Sequence, residues 1–150
     1  MKYVIYCDGA CKDNGTANAR GSWAYVIINE SEKKFIKESG SEMNSTNQRM
    51  ELTAALMALR KFHSLSLQAN EYELRVCTDS AYLFNCWHAK WYKDWKNNHW
   101  RNKQKKEVSN RDLWEELVKY FDDERIEFVK VKGHSNVYWN EFVDRLAQNI

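Results

Sequence analysis

The chain has 150 residues, of which 43% are hydrophobic and 29% charged, with a formal net charge of +2. That length suits one domain with a substantial core and leaves little room for a second. No apolar run is long enough to cross a bilayer, and a strand pattern begins at Lys2 without a secretory leader. Cys7, Cys11, Cys77 and Cys86 form no CxxC pair, which argues against a zinc finger or a disulfide framework. A reduced, cytoplasmic protein with no membrane partner is therefore expected.

Three strand-like runs come first, Lys2 to Cys7, Trp23 to Asn29 and Lys33 to Gly40, and the short gaps between them predict antiparallel pairing. From Thr46 to His63 the apolar residues recur at helical spacing almost all round, as in a helix packed on a sheet. A strand follows over Leu74 to Thr78, then a helix over Ser80 to Ala89. Beyond them lie a Trp-rich basic segment, a helix over Ser109 to Phe121, a strand over Ile126 to Val131 and a final helix over Glu141 to Ile150. This order predicts an α/β layered fold, a mixed sheet with helices on its faces. The sequence shows no repeat or linker. Between Trp87 and Lys106 seven basic residues face one acid, Asp94, a net +6 that leaves −4 on the rest. Such segregation reads either as a basic arm for a polyanion or as a solvated helix face.

Asp8, Glu51, Asp79 and Asp144 stand where a core would not want charge. Asp8 and Asp79 each end an apolar strand-like run, at the mouth of the sheet. Glu51 shares a helix face with Ala54, Ala55, Ala58 and Phe62, and Asp144 lies beside Val143, Leu146, Ala147 and Ile150. Each has an innocent reading alone. Asp8-Gly9 can be a turn, Asp79 a helix cap, and Glu51 a favourable charge near a helix N-terminus. Together, four anions near a core are tolerable mainly with cations among them, because unpaired buried charge costs several kcal/mol or more. An oxygen-rich donor set suits Mg²⁺ or Mn²⁺, and two such ions about 4 Å apart support phosphodiester cleavage.

Asp8-Gly9-Ala10-Cys11, the run from Thr46 to Leu52, Thr78-Asp79-Ser80, Val131-Lys132-Gly133-His134 and the run from Asn140 to Asp144 resemble, in order and spacing, the motifs of type 1 ribonuclease H. The resemblance covers about Lys2 to Asn149. It implies a five-stranded mixed sheet, three antiparallel N-terminal strands plus two parallel ones, with helices on both faces. It places all of 1–150 in one catalytic domain with a basic protrusion at about 87–107. The activity implied is endonucleolytic cutting of the RNA strand of an RNA–DNA hybrid with two Mg²⁺ ions, leaving 3′-hydroxyl and 5′-phosphate ends, with Mn²⁺ able to substitute. By resemblance Asp8 is shared by both ions, Asp144 serves the water-activating ion, Glu51 and Asp79 serve the leaving-group ion, and His134 assists proton transfer or product release.

The resemblance also assigns substrate contacts. Asn14, Asn47 and Gln48 match positions that touch the minor groove or RNA sugars. Tyr82, Trp91 and Trp95 match a channel for the DNA strand, and Thr46 and Asn110 match a pocket for a DNA phosphate. Asn14, Asn47 and Gln48 also have a plain reading as loop or helix-start polarity, and the aromatic residues as core packing. One departure stands out: Asn44, seven residues before Glu51, occupies the place of an arginine in that pocket, so phosphate capture should weaken or shift to a nearby lysine. The segment between Asp8 and Glu51 also reads as longer than in compact bacterial members. A stand-alone monomeric enzyme without an extra hybrid-binding domain is expected.

Overall fold

The computed structural model describes residues 2–14, 16–65, 71–132 and 138–148. Its elements are β1 (Lys2–Lys12), β2 (Arg20–Asn29), β3 (Lys34–Met43), α1 (Asn47–Leu65), β4 (Glu73–Thr78), α2 (Ala81–His88), α3 (Trp91–Asn97), α4 (Arg111–Phe121), β5 (Ile126–Lys130) and α5 (Tyr138–Gln148). They form one five-stranded sheet in the order β3-β2-β1-β4-β5. β1, β2 and β3 pair antiparallel, whereas β4 runs parallel to β1 and β5 parallel to β4. The mixed sheet and its element order are as the sequence predicts.

Both faces of the sheet are covered, which explains why its central strands read as continuous apolar runs rather than as alternating ones. Ile5, Cys7, Tyr25 and Ile27 point into the larger core with Leu52, Leu59, Leu74, Phe128 and Trp114. Ala24 and Val26 point the other way, against Val143 and Ala147 of α5. Trp114 is fully buried, and its indole N–H donates to the Tyr82 hydroxyl at 3.3 Å, so a large apolar ring enters the core without an orphaned donor. All four cysteines are free thiols, and Cys7 and Cys77 pack as small apolar groups on neighbouring strands.

Several element boundaries differ from expectation, and β3 runs on to Met43 rather than ending at Gly40. β1 does not end at Cys7 but continues to Lys12, because β2 pairs with it throughout, Asp8 opposite Ala24 and Lys12 opposite Arg20. The parallel pairing with β4 stops earlier, at Tyr6 opposite Cys77. Asp8 is thus within a strand on one side and past the end of the sheet on the other. Asp79 follows the last residue of β4, so both carboxylates do lie at the carboxyl edge of the parallel strands, where open α/β sheets place ligands. α5 starts three residues before the expected Glu141, at Tyr138.

α1 reaches this edge through Gly9. A Cβ at Gly9 would lie 2.2 Å from the Met50 carbonyl carbon and 2.4 Å from the Glu51 nitrogen, so helix backbone rests directly on strand backbone. Neither element can give way, since β1 is paired on β2 and α1 is buried along Met50, Leu52, Ala54 and Ala55. Gly9→Ala should destabilise the protein by about 3 kcal/mol, read as a lower urea midpoint. A midpoint within error of wild type would show that α1 is free to move off the strand.

Candidate active site

Four elements each bring one carboxylate to the sheet edge. β1 supplies Asp8, the second turn of α1 supplies Glu51, the end of β4 supplies Asp79 and α5 supplies Asp144. They line one pocket of about 140 Å³ with Gly9, Ala10, Asn140 and Glu141. A larger groove of about 550 Å³ opens at the opposite end of the sheet, among Lys2, Glu30, Arg75 and Arg125. There opposite charges offset one another, with Arg75 and Glu30 at 3.7 Å, so volume does not locate the site. The small pocket is distinguished by single-sign charge.

Asp8 is the most enclosed of the four, with 8% of its surface exposed. Burial pushes its carboxyl well above the ordinary range, to about 8, and repulsion from Asp79 and Asp144 adds to that. A hydrogen bond with Asp144 favours the protonated form of Asp8, while the Gly9 N–H, 3.0 Å from Asp8 Oδ1, favours the ionised form. Burial raises Glu51 as well, and the Ser80 hydroxyl partly offsets this by hydrogen bonding to its carboxylate. Ser80 has two tasks, because its oxygen also accepts from the Leu83 N–H at 3.1 Å and so caps α2. The carboxylates fit hard cations by this chemistry: they are oxygen donors of one sign, crowded and partly dehydrated, and a divalent ion would replace the proton on Asp8. Among the described residues they do not form a preset cage of three or more ligands.

Ser80, Asn140 and Glu141 lie within the quoted motifs, but the sequence assigns them no role. Asn140 is buried, lines the pocket and donates from its side-chain amide to the Lys132 carbonyl at 3.4 Å, tying α5 to the chain after β5. Its place inside the last motif is the available signal. His134 lies outside the described residues.

The expected substrate residues fall into two groups. Asn14, Thr46, Asn47 and Gln48 gather at the start of α1 and are exposed. Asn47 accepts the Cys11 N–H at 2.7 Å, and its own N–H donates to Asn14 Oδ1 at 3.1 Å, so this loop is pinned to β1 beside the pocket. Thr46 caps α1 by accepting the Arg49 N–H at 3.1 Å. Asn110, the N-terminal cap residue of α4, meets this group through Arg49, whose guanidinium donates to Asn110 Oδ1 at 3.4 Å and to both oxygens of Asp112 at 3.0 and 2.7 Å. Arg49 is thus a cation set beside Asn110, close to Thr46 at the start of α1. Asn44 has a backbone reason to be there: its φ is 55°, a left-handed conformation asparagine adopts more readily than arginine.

Tyr82, Trp91 and Trp95 form the second group. Trp91 lies 6.3 Å from Tyr82 and 6.4 Å from Trp95 between ring centroids, and Trp95 packs edge-on to Trp114 at 5.4 Å. They are half-buried against the larger core, so packing accounts for one face of this row and leaves the other to solvent.

A mixed sheet of order 3-2-1-4-5 with carboxylates from β1, α1, β4 and α5 at its carboxyl edge defines a ribonuclease H-type fold and site. The chain belongs to the RNase H family, whose profile matches residues 1–150. It is 40% identical over 146 residues to a ribonuclease H of Syntrophomonas wolfei, covering 97% of this chain and 93% of that protein. It is also 40% identical over 149 residues to a ribonuclease H of Moorella thermoacetica, covering 99% and 91%. Among solved structures, LC9-RNase H1, described as a type 1 enzyme with the type 2 active-site motif, superposes with a TM-score of 0.77 at 24% identity, over 99% of this chain and 71% of that one. LC11-RNase H1 in complex with RNA/DNA hybrid superposes with a TM-score of 0.67 at 20% identity, over 98% and 97%. These two structures establish the shared fold.

The raised Asp8 carboxyl makes ionisation of the pocket a cost to folding. Protonation stabilises the fold fully below the unfolded value near pH ~4, and that contribution is lost as pH rises towards the folded value of about 8. In EDTA, Asp8→Asn should therefore be more stable than wild type at pH 7, by on the order of 2 kcal/mol, and the gain should shrink towards pH ~4. Thermal unfolding followed by circular dichroism at the two pH values reads this, and a pH-independent difference would contradict it.

Proposed function

We propose that the protein is an endoribonuclease that hydrolyses the RNA strand of RNA–DNA hybrids, using two Mg²⁺ ions and leaving 3′-hydroxyl and 5′-phosphate ends. It acts as a cytoplasmic monomer, with residues 1–150 as one catalytic domain. The observation that carries this reading is the meeting of Asp8, Glu51, Asp79 and Asp144 in one pocket, in a chain of the RNase H family. Mn²⁺ is the expected substitute ion.

In this reading Asp8 would serve both ions, Asp144 the water-activating one, and Glu51 and Asp79 the leaving-group one. When bound, the pair supplies an activated water and charge stabilisation at the leaving oxygen. The chain's own residues do the positioning. Gly9 lets α1 set Glu51 against β1, Ser80 orients the Glu51 carboxylate, and packing of Val143 and Ala147 on Ala24 and Val26 sets α5 against the sheet. Asn14, Asn47 and Gln48 meet the hybrid where it crosses the start of α1, reading 2′-hydroxyls that distinguish RNA from DNA sugars. Thr46, Arg49 and Asn110 receive a DNA phosphate, and Tyr82, Trp91 and Trp95 offer ring faces to the DNA strand. His134 assists proton transfer or product release, a task for which an imidazole is chemically suited.

The test compares one sequence as RNA–DNA hybrid, double-stranded RNA and double-stranded DNA, with Mg²⁺ or EDTA. Cutting should be confined to the RNA strand of the hybrid with Mg²⁺. Asp8→Asn should bring it to the assay floor, and His134→Ala should slow kcat by about a hundredfold. Hybrid binding without cutting under either metal would make the chain a binding module instead.

The segment at about 87–107 provides a second test. Lys93, Lys96, Lys103 and Lys105 are exposed around α3 and the loop closed by the Arg101–Glu107 bridge. If they meet phosphates, neutralising all four should flatten the salt dependence of hybrid binding, by roughly 0.7 to 0.9 in log–log slope for each phosphate that no longer meets a lysine. An unchanged slope would make the segment a solvated surface.

A further inference from the structure

Beyond the pocket, α5 and β3 share a group of aromatic rings to which the reading above gives no task. Phe35 of β3 lies 5.0 Å from Trp139 and 6.2 Å from Phe142 between centroids. Tyr138 and Phe142, four residues apart and so on one helix face, lie 6.4 Å apart with their planes within 28°. Packing against Ala24, Val26, Val143 and Ala147 explains Trp139 and Phe142. It does not explain Tyr138 and Phe35, which are 63% and 49% exposed.

The surroundings of these rings are basic. Lys33, Lys34 and Lys37 flank Phe35 along the exposed edge strand, and the Lys37 ammonium stands 5.6 Å from the centre of the Phe142 ring. Glu32 offsets only Lys34, at 4.0 Å. A second copy docked symmetrically here would bring like charges together, which disfavours self-association. Exposed ring faces bordered by ammonium groups are instead the chemistry of a single-strand platform, where rings stack on bases and lysines follow the phosphates. Tyr138 lies six residues before Asp144 on the same helix, about 9 Å along its axis, and Phe35 stands opposite Ile28, level with Val4 rather than with Asp8, so a strand reaching these rings would leave the pocket along α5.

We infer that Phe35, Tyr138 and Phe142, with Lys33 and Lys37, form a stacking platform for unpaired nucleotides that continue a strand of the hybrid beyond the catalytic pocket. This rests on the hybrid being the substrate. A nuclease so equipped would favour junctions, where duplex meets single strand, over blunt hybrid.

The experiment measures binding by fluorescence anisotropy in EDTA, with blunt hybrid and with hybrids bearing a short unpaired RNA or DNA overhang at either end. Wild type should bind one overhang about tenfold more tightly than blunt hybrid. The identity of that overhang gives the strand and polarity served. The double variant Phe35→Ala, Tyr138→Ala should lose this preference while binding blunt hybrid as before, and Tyr138→Phe should keep it. Equal wild-type affinity for all ends would overturn the inference, and so would an equal loss on blunt and overhanging hybrids. Cleavage of blunt hybrid by wild type reports the proposed activity separately, so either reading can fail without the other.

Discussion

Repulsion among carboxylates is the constraint on which this structure turns. Asp8, Glu51, Asp79 and Asp144 come from four separate elements, and nothing in their mutual charge would bring them together. Backbone does it. β1 and β4 are locked in parallel register up to Tyr6 and Cys77, which fixes Asp8 and Asp79 at one edge. The missing Cβ at Gly9 lets α1 lie against β1, and the small residues Ala24 and Ala147 let α5 lie against the sheet's other face. The fold thus stores a cost of burial and repulsion at its edge, visible in the upward shifts of Asp8 and Glu51, that a cation would relieve. Stability and function are set against each other at this one place, as is common where groups are preorganised for chemistry.

Much of this is legible in the sequence because it is local. The helical period of α1 and the apolar runs of β1 and β4 are strong signals, and the four carboxylates are conspicuous because they interrupt those patterns. The end of β1 is obscured for the same reason. Asp8 and Gly9 break the apolar run, yet pairing with β2 carries the strand on to Lys12, a tertiary effect that no window of sequence contains. The start of α5 is hidden because Tyr138 is exposed and Trp139 reaches across to Phe35 of β3, so neither extends the buried stripe of Val143 and Ala147. Ser80 is masked by its ordinary look, since a serine before a helix is usually only a cap. Here it also reaches Glu51, 29 positions away in the chain.

The network at Arg49 shows how a local departure is absorbed. Asn44 takes up a left-handed turn at the end of β3 and brings no charge. Arg49, in the first turn of α1, stands beside Asn110 and is held by Glu42 at 3.3 Å and by both oxygens of Asp112. Those carboxylates orient the guanidinium and also compete with any phosphate for it. The aromatic row of Tyr82, Trp91 and Trp95 is similarly divided between tasks. Its inner faces complete the core around Trp114, and only its outer faces remain for a ligand.

The central claim is that the carboxylate pocket is a cation site. Anomalous scattering from crystals of the wild-type protein soaked in Mn²⁺, with a hybrid bound whose RNA-strand linkages resist hydrolysis, tests it most directly. Manganese peaks are expected inside the pocket, bounded by Asp8, Glu51, Asp79 and Asp144. A pocket without manganese, or manganese only at another acidic cluster such as Asp122, Asp123 and Glu124, would contradict it.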